Sequence, residues 1–273
     1  MSMIKSASLG AASLLAVAVF AGPSFADGLP SRGKVAAAEP ARPCAFTGNV
    51  GVTTDYVFRG ISQTLNDAAV QGGVDATCGN FYLGFWGSNV EFAGPFGDSN
   101  VEMDFYGGYK FKTGAINWDL GAIYYSYPGT DTGPGFSRHN SYFEVKAGAS
   151  GDIWKGGTLG ATVFYSPDYF GSTGHVWTVE GTFSQTLPRF AIFSPTFSAT
   201  LGYSKGGSEF KAVFTGDENH YTYWNVGVNL AFYEKWSLDL RYWDTSIDGG
   251  CFVTGGVGET CDGRFVASMK YTF

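Results

Sequence analysis

Charged side chains are scarce in this sequence. Asp, Glu, Lys and Arg make up 15% of it, whereas soluble domains carry about 25%. Long apolar runs are also scarce: beyond residue 26, no segment has the roughly 18 continuous apolar residues that a membrane-spanning helix needs. No helical period of useful length appears either. These shortages exclude a helical membrane protein and leave a β protein whose outward face needs few charges.

The N-terminus has the layout of an export signal. Lys5 precedes an apolar stretch over residues 9–21, and Ser24-Phe25-Ala26 follows with small residues at its first and third places. This pattern predicts a signal peptide over residues 1–26, cleaved after Ala26. The alternative, a membrane anchor, requires a longer apolar run than this one.

Residues 27–43 have no periodicity and contain three prolines, which predicts a flexible periplasmic segment ahead of a domain over residues 44–273. The full sequence has a formal net charge of −7. An acidic exported protein is a poor candidate for binding nucleic acid.

The dominant pattern is an alternation of apolar and polar residues with a period of two. Residues 46–59 show it clearly: one face ends in Tyr56 and Phe58, and the other carries Asp55 and Arg59. Alternate side chains of a strand point to opposite faces. Twelve such runs occur, at residues 46–59, 70–78, 81–90, 101–111, 116–127, 141–149, 159–166, 176–184, 197–204, 221–232, 236–245 and 264–273.

Two environments fit this alternation: a half-buried strand of a soluble sheet, or a strand of a membrane barrel. Two features favour the barrel. The apolar faces end in Tyr, Trp or Phe, as aromatic girdles require. The runs are also about 9–12 residues long, instead of the usual five or six. The sequence therefore predicts an all-β fold, a closed antiparallel transmembrane β-barrel of about twelve strands, with Phe273 facing lipid and the first strand pairing with the last.

Connector lengths alternate as well. Short links at residues 79–80, 113–114 and 234–235 alternate with long ones at 91–100, 128–139, 205–220 and 246–263. This predicts short periplasmic turns and longer extracellular loops. The long link at residues 188–195 breaks the rule, which indicates either a periplasmic bulge or a miscount of the strands.

The chain ends in Lys-Tyr-Thr-Phe at residues 270–273, which resembles the C-terminal signal that the barrel-assembly machinery of Gram-negative bacteria reads. Further motifs resemble the TorF family of porin-like proteins; they lie at residues 48–50, 54–64, 70–73, 84–90 and 165–171. The resemblance covers the chain from about residue 46 to its end. It implies an outer-membrane barrel, but neither an established substrate nor agreed functional residues.

Four cysteines in an exported chain allow three disulfide pairings. Cys44 opens the first strand and Cys78 closes the second, while Cys251 and Cys261 lie in one outward loop. Only the pairs Cys44–Cys78 and Cys251–Cys261 keep both partners at one end of the barrel. A metal site is the competing interpretation, but the spacing contains no C-x-x-C.

The polar faces of the strands supply the candidate functional residues. Twelve charged residues are predicted to line a pore: Asp55, Arg59, Glu102, Asp104, Lys110, Asp119, Glu144, Lys146, Glu180, Asp239, Arg241 and Arg264. Inward glycines favour an open lumen, and inward tyrosines and tryptophans favour a narrow one. Two functions stay open: a narrow, charged channel for small polar solutes, or a structural or adhesin-type barrel filled by its own side chains.

The distribution of these charges leads to a further hypothesis. Arg59, Arg241 and Arg264 are expected on one side of the lumen, with Glu102, Asp104, Glu144 and Glu180 opposite, creating a transverse field. Asp75 and Lys270 are also expected to point inward, which makes eight acidic and six basic inward residues and predicts a weak preference for cations. The alternative is that these charges pair as salt bridges that satisfy a polar interior.

Enzymatic function is not expected. His139, His175 and His220 fall at loops or strand ends, and no nucleophile motif lies near them. Asp168, or Asp217 with Glu218, could bind Ca²⁺ but lacks the spacing of a calcium loop. We predict no cofactor and no metal. The expected partners are outer-membrane lipid, the assembly machinery through Phe273, and small polar solutes.

Overall fold

The structure is a computed structural model that describes residues 44–92, 99–129, 139–248, 251 and 259–273. The predicted signal peptide and flexible segment before residue 44 lie outside the described residues. No helix in the described ranges is long and apolar enough to cross a membrane.

Twelve antiparallel strands form a closed barrel in which chain neighbours pair. They are β1 (Ala45–Thr53), β4 (Ala69–Cys78), β5 (Phe81–Asn89), β6 (Val101–Thr113), β7 (Ile116–Ser126), β8 (Tyr142–Trp154), β9 (Gly157–Ser166), β10 (Val176–Thr186), β11 (Ser194–Lys205), β12 (His220–Phe232), β13 (Trp236–Thr245) and β14 (Arg264–Thr272). Two short strands, β2 (Val57–Phe58) and β3 (Ile61–Ser62), form a separate ribbon. The predicted fold class and the count of twelve are confirmed.

Closure joins the first and last strands, as predicted. β1 pairs with β14 from Asn49 opposite Thr272 to Thr53 opposite Ser268. Two backbone hydrogen bonds between Gly48 and Phe273, of 3.1 and 2.9 Å, extend this pairing to the end of the chain. The Phe273 side chain is 62% exposed on the outer surface. No barrel strand is therefore left with an open edge, which a bilayer would not tolerate.

The outer surface of the barrel is apolar, with aromatic side chains near both ends. At the end where β1 begins and β14 stops, here called the terminal end, Trp236 packs against Tyr271 and Trp154 against Phe183. At the opposite or loop end, Tyr165 packs against Trp177 and Trp224 against Tyr242. The exposed apolar residues between them include Val74, Leu83, Leu120 and Leu201. This surface has the layout of a membrane barrel.

Connections at the terminal end are short, and those at the loop end are longer. Gly79 and Gly114 take positive φ values of 64° and 58° in two of the short turns, a conformation that glycine adopts without steric cost. The irregular link before β11 is a compact turn closed by a bridge between Phe190 and Phe193. The strands were not miscounted. The link is shorter than expected because β10 continues to Thr186 and β11 begins at Ser194, three residues earlier than its sequence pattern indicates.

The prediction that residues 46–59 form one strand is wrong. β1 stops at Thr53, and residues 54–68, here called the inner segment, turn into the barrel before β4 begins. Within the inner segment β2 and β3 form a hairpin whose two turn residues, Arg59 and Gly60, have φ values of 50° and 85°. Two positive φ values are typical of a type I′ hairpin turn. Alternation continues through this stretch because a ribbon inside the lumen has the same period of two.

Candidate pore and the segment that fills its loop end

Ten of the twelve predicted pore residues lie on barrel strands with their side chains turned to the interior. They are Glu102, Asp104, Lys110, Asp119, Glu144, Lys146, Glu180, Asp239, Arg241 and Arg264. The other two, Asp55 and Arg59, also lie inside, but they belong to the inner segment and not to the wall. Alternation therefore gave the inward direction of the ten wall residues, whereas Asp55 and Arg59 lie inside because the whole inner segment, with Tyr56 of the predicted outer face, enters the lumen. The role of all twelve as a pore lining stays a prediction.

Asp55 organises the base of the inner segment. Its carboxylate accepts hydrogen bonds from the hydroxyls of Ser62 at 2.6 Å and Thr64 at 3.0 Å. The same carboxylate forms an ion pair of 3.1 Å with Arg264 on β14. The inner segment is thus closed on itself and attached to the wall at its base.

The tip of the inner segment is attached to the opposite wall. Arg59 donates two hydrogen bonds of 2.8 Å to the two carboxylate oxygens of Glu144 on β8. Its guanidinium also lies 4.7 Å from the Phe58 ring and 4.9 Å from the Phe164 ring. Arg59 and Glu144 are only 3% and 1% exposed, so each charge depends on the other for its stability. Removing one partner of such a buried pair costs about 3–5 kcal/mol.

Tyr56 makes a third attachment. Its hydroxyl donates to Glu102 Oε1 on β6 at 3.0 Å, and its ring packs against Trp86 on β5. Asp104 lies two residues along the same strand and is fully buried. The inner segment therefore contacts β5, β6, β8 and β14, and it fills the lumen across its width.

Aromatic side chains close the loop end above the inner segment. Tyr169 and Phe170, from the connection between β9 and β10, pack with Phe214, from the π-helical turn Lys211–Thr215. Phe92 and Tyr127 complete this layer. Burial raises the pKa of the Tyr169 hydroxyl, although the neighbouring Arg59 acts in the other direction. A cavity of about 20 Å³ remains among these rings, which is room for about one water molecule.

The terminal half of the lumen is more open along β4 to β10. Lys146 forms an ion pair of 2.7 Å with Asp119, and Tyr82 donates to the same carboxylate at 2.8 Å. Lys110 lies 4.6 Å above the Tyr82 ring. Lys110, Asp119 and Lys146 are partly exposed, Tyr82 is buried, and Thr182, inward on β10, is exposed. Water therefore reaches the wall in this half.

The wall formed by β11 to β13 is covered instead. The Arg241 guanidinium donates to both oxygens of Asp239, at 2.9 and 3.0 Å, and to Ser198 Oγ at 2.9 Å. A further hydrogen bond of 2.5 Å reaches Asn225. All four residues are buried, so this cluster narrows the lumen from one side.

The hypothesis of a transverse field is not supported, because each of its three arginines forms an ion pair with a carboxylate beside it in space. Arg59 pairs with Glu144, Arg241 with Asp239, and Arg264 with Asp55. Arg59 lies on the inner segment, which places its guanidinium directly against Glu144 on β8. The two charges are therefore not separated across the lumen. The arrangement is the alternative one, in which ion pairs satisfy a polar interior.

Sequence reasoning missed a recurring contact between tyrosine hydroxyls and inward carboxylates. Among the described residues such pairs include Tyr56–Glu102, Tyr82–Asp119, Tyr106–Asp75, Tyr125–Glu144 and Tyr223–Glu180, with oxygen–oxygen distances of 2.5 to 3.2 Å. The inward tyrosines therefore narrow the lumen and also satisfy its carboxylates. For the four wall tyrosines the available signal was that they share the polar face of the alternating runs with the carboxylates. Tyr56 gave no such signal, because it lies on the predicted apolar face of residues 46–59 and is buried only because the inner segment turns into the lumen.

The remaining sequence predictions concern cysteines and possible metal ligands. Disulfides join Cys44 to Cys78 and Cys251 to Cys261, the pairing that was predicted. Asp168 accepts a hydrogen bond from the Gly174 backbone at 2.9 Å, and so it shapes its own loop. Within the described ranges, no group of three or more His, Cys, Asp or Glu side chains could hold a metal ion.

Fold and interior together define a transmembrane-type β-barrel with a polar, ion-paired lumen. The chain belongs to the family described as "Bacterial protein of unknown function (Gcw_chp)", which it matches over residues 37–273. A comparison with curated proteins finds no match. The resemblance to the TorF family stays a prediction.

Several solved barrels have a similar fold. The KdgM porin is 11% identical with a TM-score of 0.53, covering 83% of this chain and 99% of its own. The NanC porin is also 11% identical with a TM-score of 0.53, covering 84% and 99%. The COG4313 outer-membrane channel from Pseudomonas putida F1 is 12% identical with a TM-score of 0.50, covering 86% and 99%. At such low identity these likenesses show the fold alone.

Proposed function

We propose that this protein is an outer-membrane channel of a Gram-negative bacterium, through which small polar solutes diffuse passively. The observation that carries the proposal is the terminal half of the lumen, where charged side chains such as Lys110, Asp119 and Lys146 face a partly solvated interior. A barrel built only as a scaffold has no need for solvated charge there. Twelve strands are intermediate between the eight that side chains fill and the sixteen that leave a wide channel.

In this proposal the loop end is extracellular, the terminal end is periplasmic, and the inner segment is the constriction. The similar folds of two porins and an outer-membrane channel support the proposal without identifying a solute. Between the aromatic layer of the loop end and the terminal end, ion pairs and tyrosine–carboxylate contacts make the wall polar, which suits small hydrophilic solutes. No chemistry is required of the protein, so we propose a channel and not an enzyme.

A second function is favoured by the filled loop-end half. Arg59, Glu102 and Glu144 are almost fully buried beneath an aromatic layer, as expected if the barrel is a closed scaffold that acts through its extracellular loops. This structural or adhesin-type function makes the opposite prediction for conductance.

Conductance in planar bilayers separates the two. We compare the purified protein with a variant in which residues 54–68 are replaced by a short Gly-Ser turn, which can close because Thr53 and Ala69 are paired neighbours. The channel function predicts discrete openings of the native protein and a several-fold larger conductance of the variant. Lys155→Ala, in an exposed turn at the terminal end, is the control. A correctly folded native protein that shows no openings, whether or not the variant conducts, would refute the channel and favour the closed scaffold.

Assembly through the C-terminal residue is the further part of the proposal. Phe273 is exposed next to Gly48 at the seam between β1 and β14, so a charge there would face lipid and the closing strand pair. Phe273→Asp should sharply reduce the amount of heat-modifiable barrel in outer-membrane fractions, and Phe273→Tyr should not. Equal yields of the two variants would refute this role.

A further inference from the structure

The surroundings of the Arg59 side chain have the features of a guanidinium-binding site. Glu144 receives both ends of the guanidinium fork at 2.8 Å, a geometry that a lysine ammonium does not reproduce. The guanidinium carbon lies 4.9 Å from the Phe164 ring and 5.9 Å from the Tyr169 ring, within the range of cation–π attraction. The Tyr169 hydroxyl oxygen accepts a third hydrogen bond at 3.3 Å.

Most of this site belongs to the barrel and not to the inner segment. Glu144 lies on β8, Phe164 on β9, and Tyr169 in the connection that follows β9. Tyr125 on β7 donates to Glu144 Oε2 at 3.2 Å and helps to hold the carboxylate in place. Among the contacts named above, only the Phe58 ring moves with Arg59. If the inner segment left the lumen, the carboxylate and the two wall-side rings would stay.

We propose that Glu144, Phe164 and Tyr169 form a binding site for solutes that carry a guanidinium group, and that Arg59 occupies this site in cis as an autoinhibitory ligand. A solute that reaches the lumen and binds there must displace Arg59, which releases the tip of the inner segment. The access of solutes rests on the proposed channel function. A tethered group has an effective concentration in the millimolar range, so free solutes must approach that range to compete with Arg59.

Arg59→Ala vacates the site and makes the proposal testable with ethylguanidinium as the probe. Calorimetric titration of the detergent-solubilised barrel should show saturable binding, at least about tenfold tighter than to the native protein, because a bidentate charged contact becomes available. The double variant Arg59→Ala/Glu144→Gln should lose this gain. Ethylammonium should bind Arg59→Ala more weakly than ethylguanidinium, since it cannot make the two-pronged contact.

Lys146→Ala is the matched control, because it vacates the other tyrosine-supported ion pair, at Asp119. It should not gain affinity for ethylguanidinium, since that carboxylate is more exposed and is not paired with a bidentate fork. If Arg59→Ala does not form a heat-modifiable barrel, Arg59→Gln replaces it, because glutamine keeps a polar side chain at this position but has no guanidinium group.

Two results would overturn the site: equal affinity of the native and Arg59 variants, or unchanged affinity after Glu144→Gln is added. Binding in detergent does not require conduction, so the site and the channel can fail separately. A barrel that binds ethylguanidinium but never conducts keeps the site and refutes the channel. A barrel that conducts but does not bind ethylguanidinium keeps the channel and refutes the site.

Discussion

The two halves of the lumen use the same side-chain chemistry to opposite effect. Glu144 in the loop-end half and Asp119 in the terminal half each bind one basic side chain and one tyrosine hydroxyl. Glu144 is 1% exposed, whereas Asp119 is 15% exposed. The difference comes from the inner segment, which brings Arg59 and its neighbours into one half only. A polar wall therefore does not by itself make a water-filled lumen.

The comparison also shows where stability and permeability are coupled. In the loop-end half, the buried charges of Arg59 and Glu144 are stabilised by their ion pair and by contacts with Tyr125, Phe164 and Tyr169, so this cluster holds the inner segment firmly. In the terminal half, the Lys146–Asp119 pair is partly exposed, so solvent screens it more and it contributes less than the buried pair. Opening the lumen should therefore depend on the few contacts of the inner segment and not on the wall as a whole.

The largest expected effect comes from truncating the two matched carboxylates. Glu144→Ala leaves the Arg59 guanidinium buried without its partner and should weaken the packing of the inner segment by about 3–5 kcal/mol. Asp119→Ala should cost about 1 kcal/mol or less, because Lys146 can turn to solvent. Denaturant dependence of protease protection within residues 54–68, measured for both variants, gives the two values. Equal losses of free energy in the two variants would mean that water is excluded equally from the two halves of the lumen.

Thiol accessibility tests the same contrast along one strand. Thr178 and Thr182 both point inward on β10, but Thr178 is fully buried and Thr182 is exposed. Thr182→Cys should react with a charged thiol reagent at least about tenfold faster than Thr178→Cys, because the buried position must first open. Replacing residues 54–68 with a Gly-Ser turn should bring the two rates together. Similar rates in the intact protein would contradict a filled loop end.

Ion selectivity should show the smallest effect. Glu102 and Asp104 lie in the filled half, whereas Lys110 and Lys270 lie in the partly exposed half. We expect a weak cation preference. Lys110→Gln/Lys270→Gln should move the reversal potential in a salt gradient further toward cations. Glu102→Gln/Asp104→Asn should move it toward anions, and only in the barrel that lacks residues 54–68.

A shift toward anions with the inner segment in place would show instead that ions pass Glu102 and Asp104 in the native state. An unchanged potential in the shortened barrel, with conductance retained, would show that these carboxylates do not line the path. The conservative amides keep side-chain size, so the result reports on charge and not on packing.

Strand number and side-chain direction were accessible before the structure, because every barrel strand imposes the same period of two on a two-sided environment. Strand ends were less accessible: β8 continues to Trp154 and β11 begins at Ser194. Side-chain composition does not mark the end of a strand, either in glycine-rich stretches or beyond the aromatic girdle. A strand continues as long as the neighbouring strand supplies backbone hydrogen-bond partners.

The alternating sequence by itself determined the closed barrel, its apolar outer face and the interior location of its charges. The tertiary structure alone decided what fills the interior. Arg59 meets Glu144 across 85 positions of the chain, and no local pattern encodes a contact of that separation. The turn at Arg59 and Gly60 folds a ribbon inward, yet a ribbon in the lumen and a strand in the wall share one periodicity. Their difference lies in which backbone pairs with which, and only the folded chain contains that information.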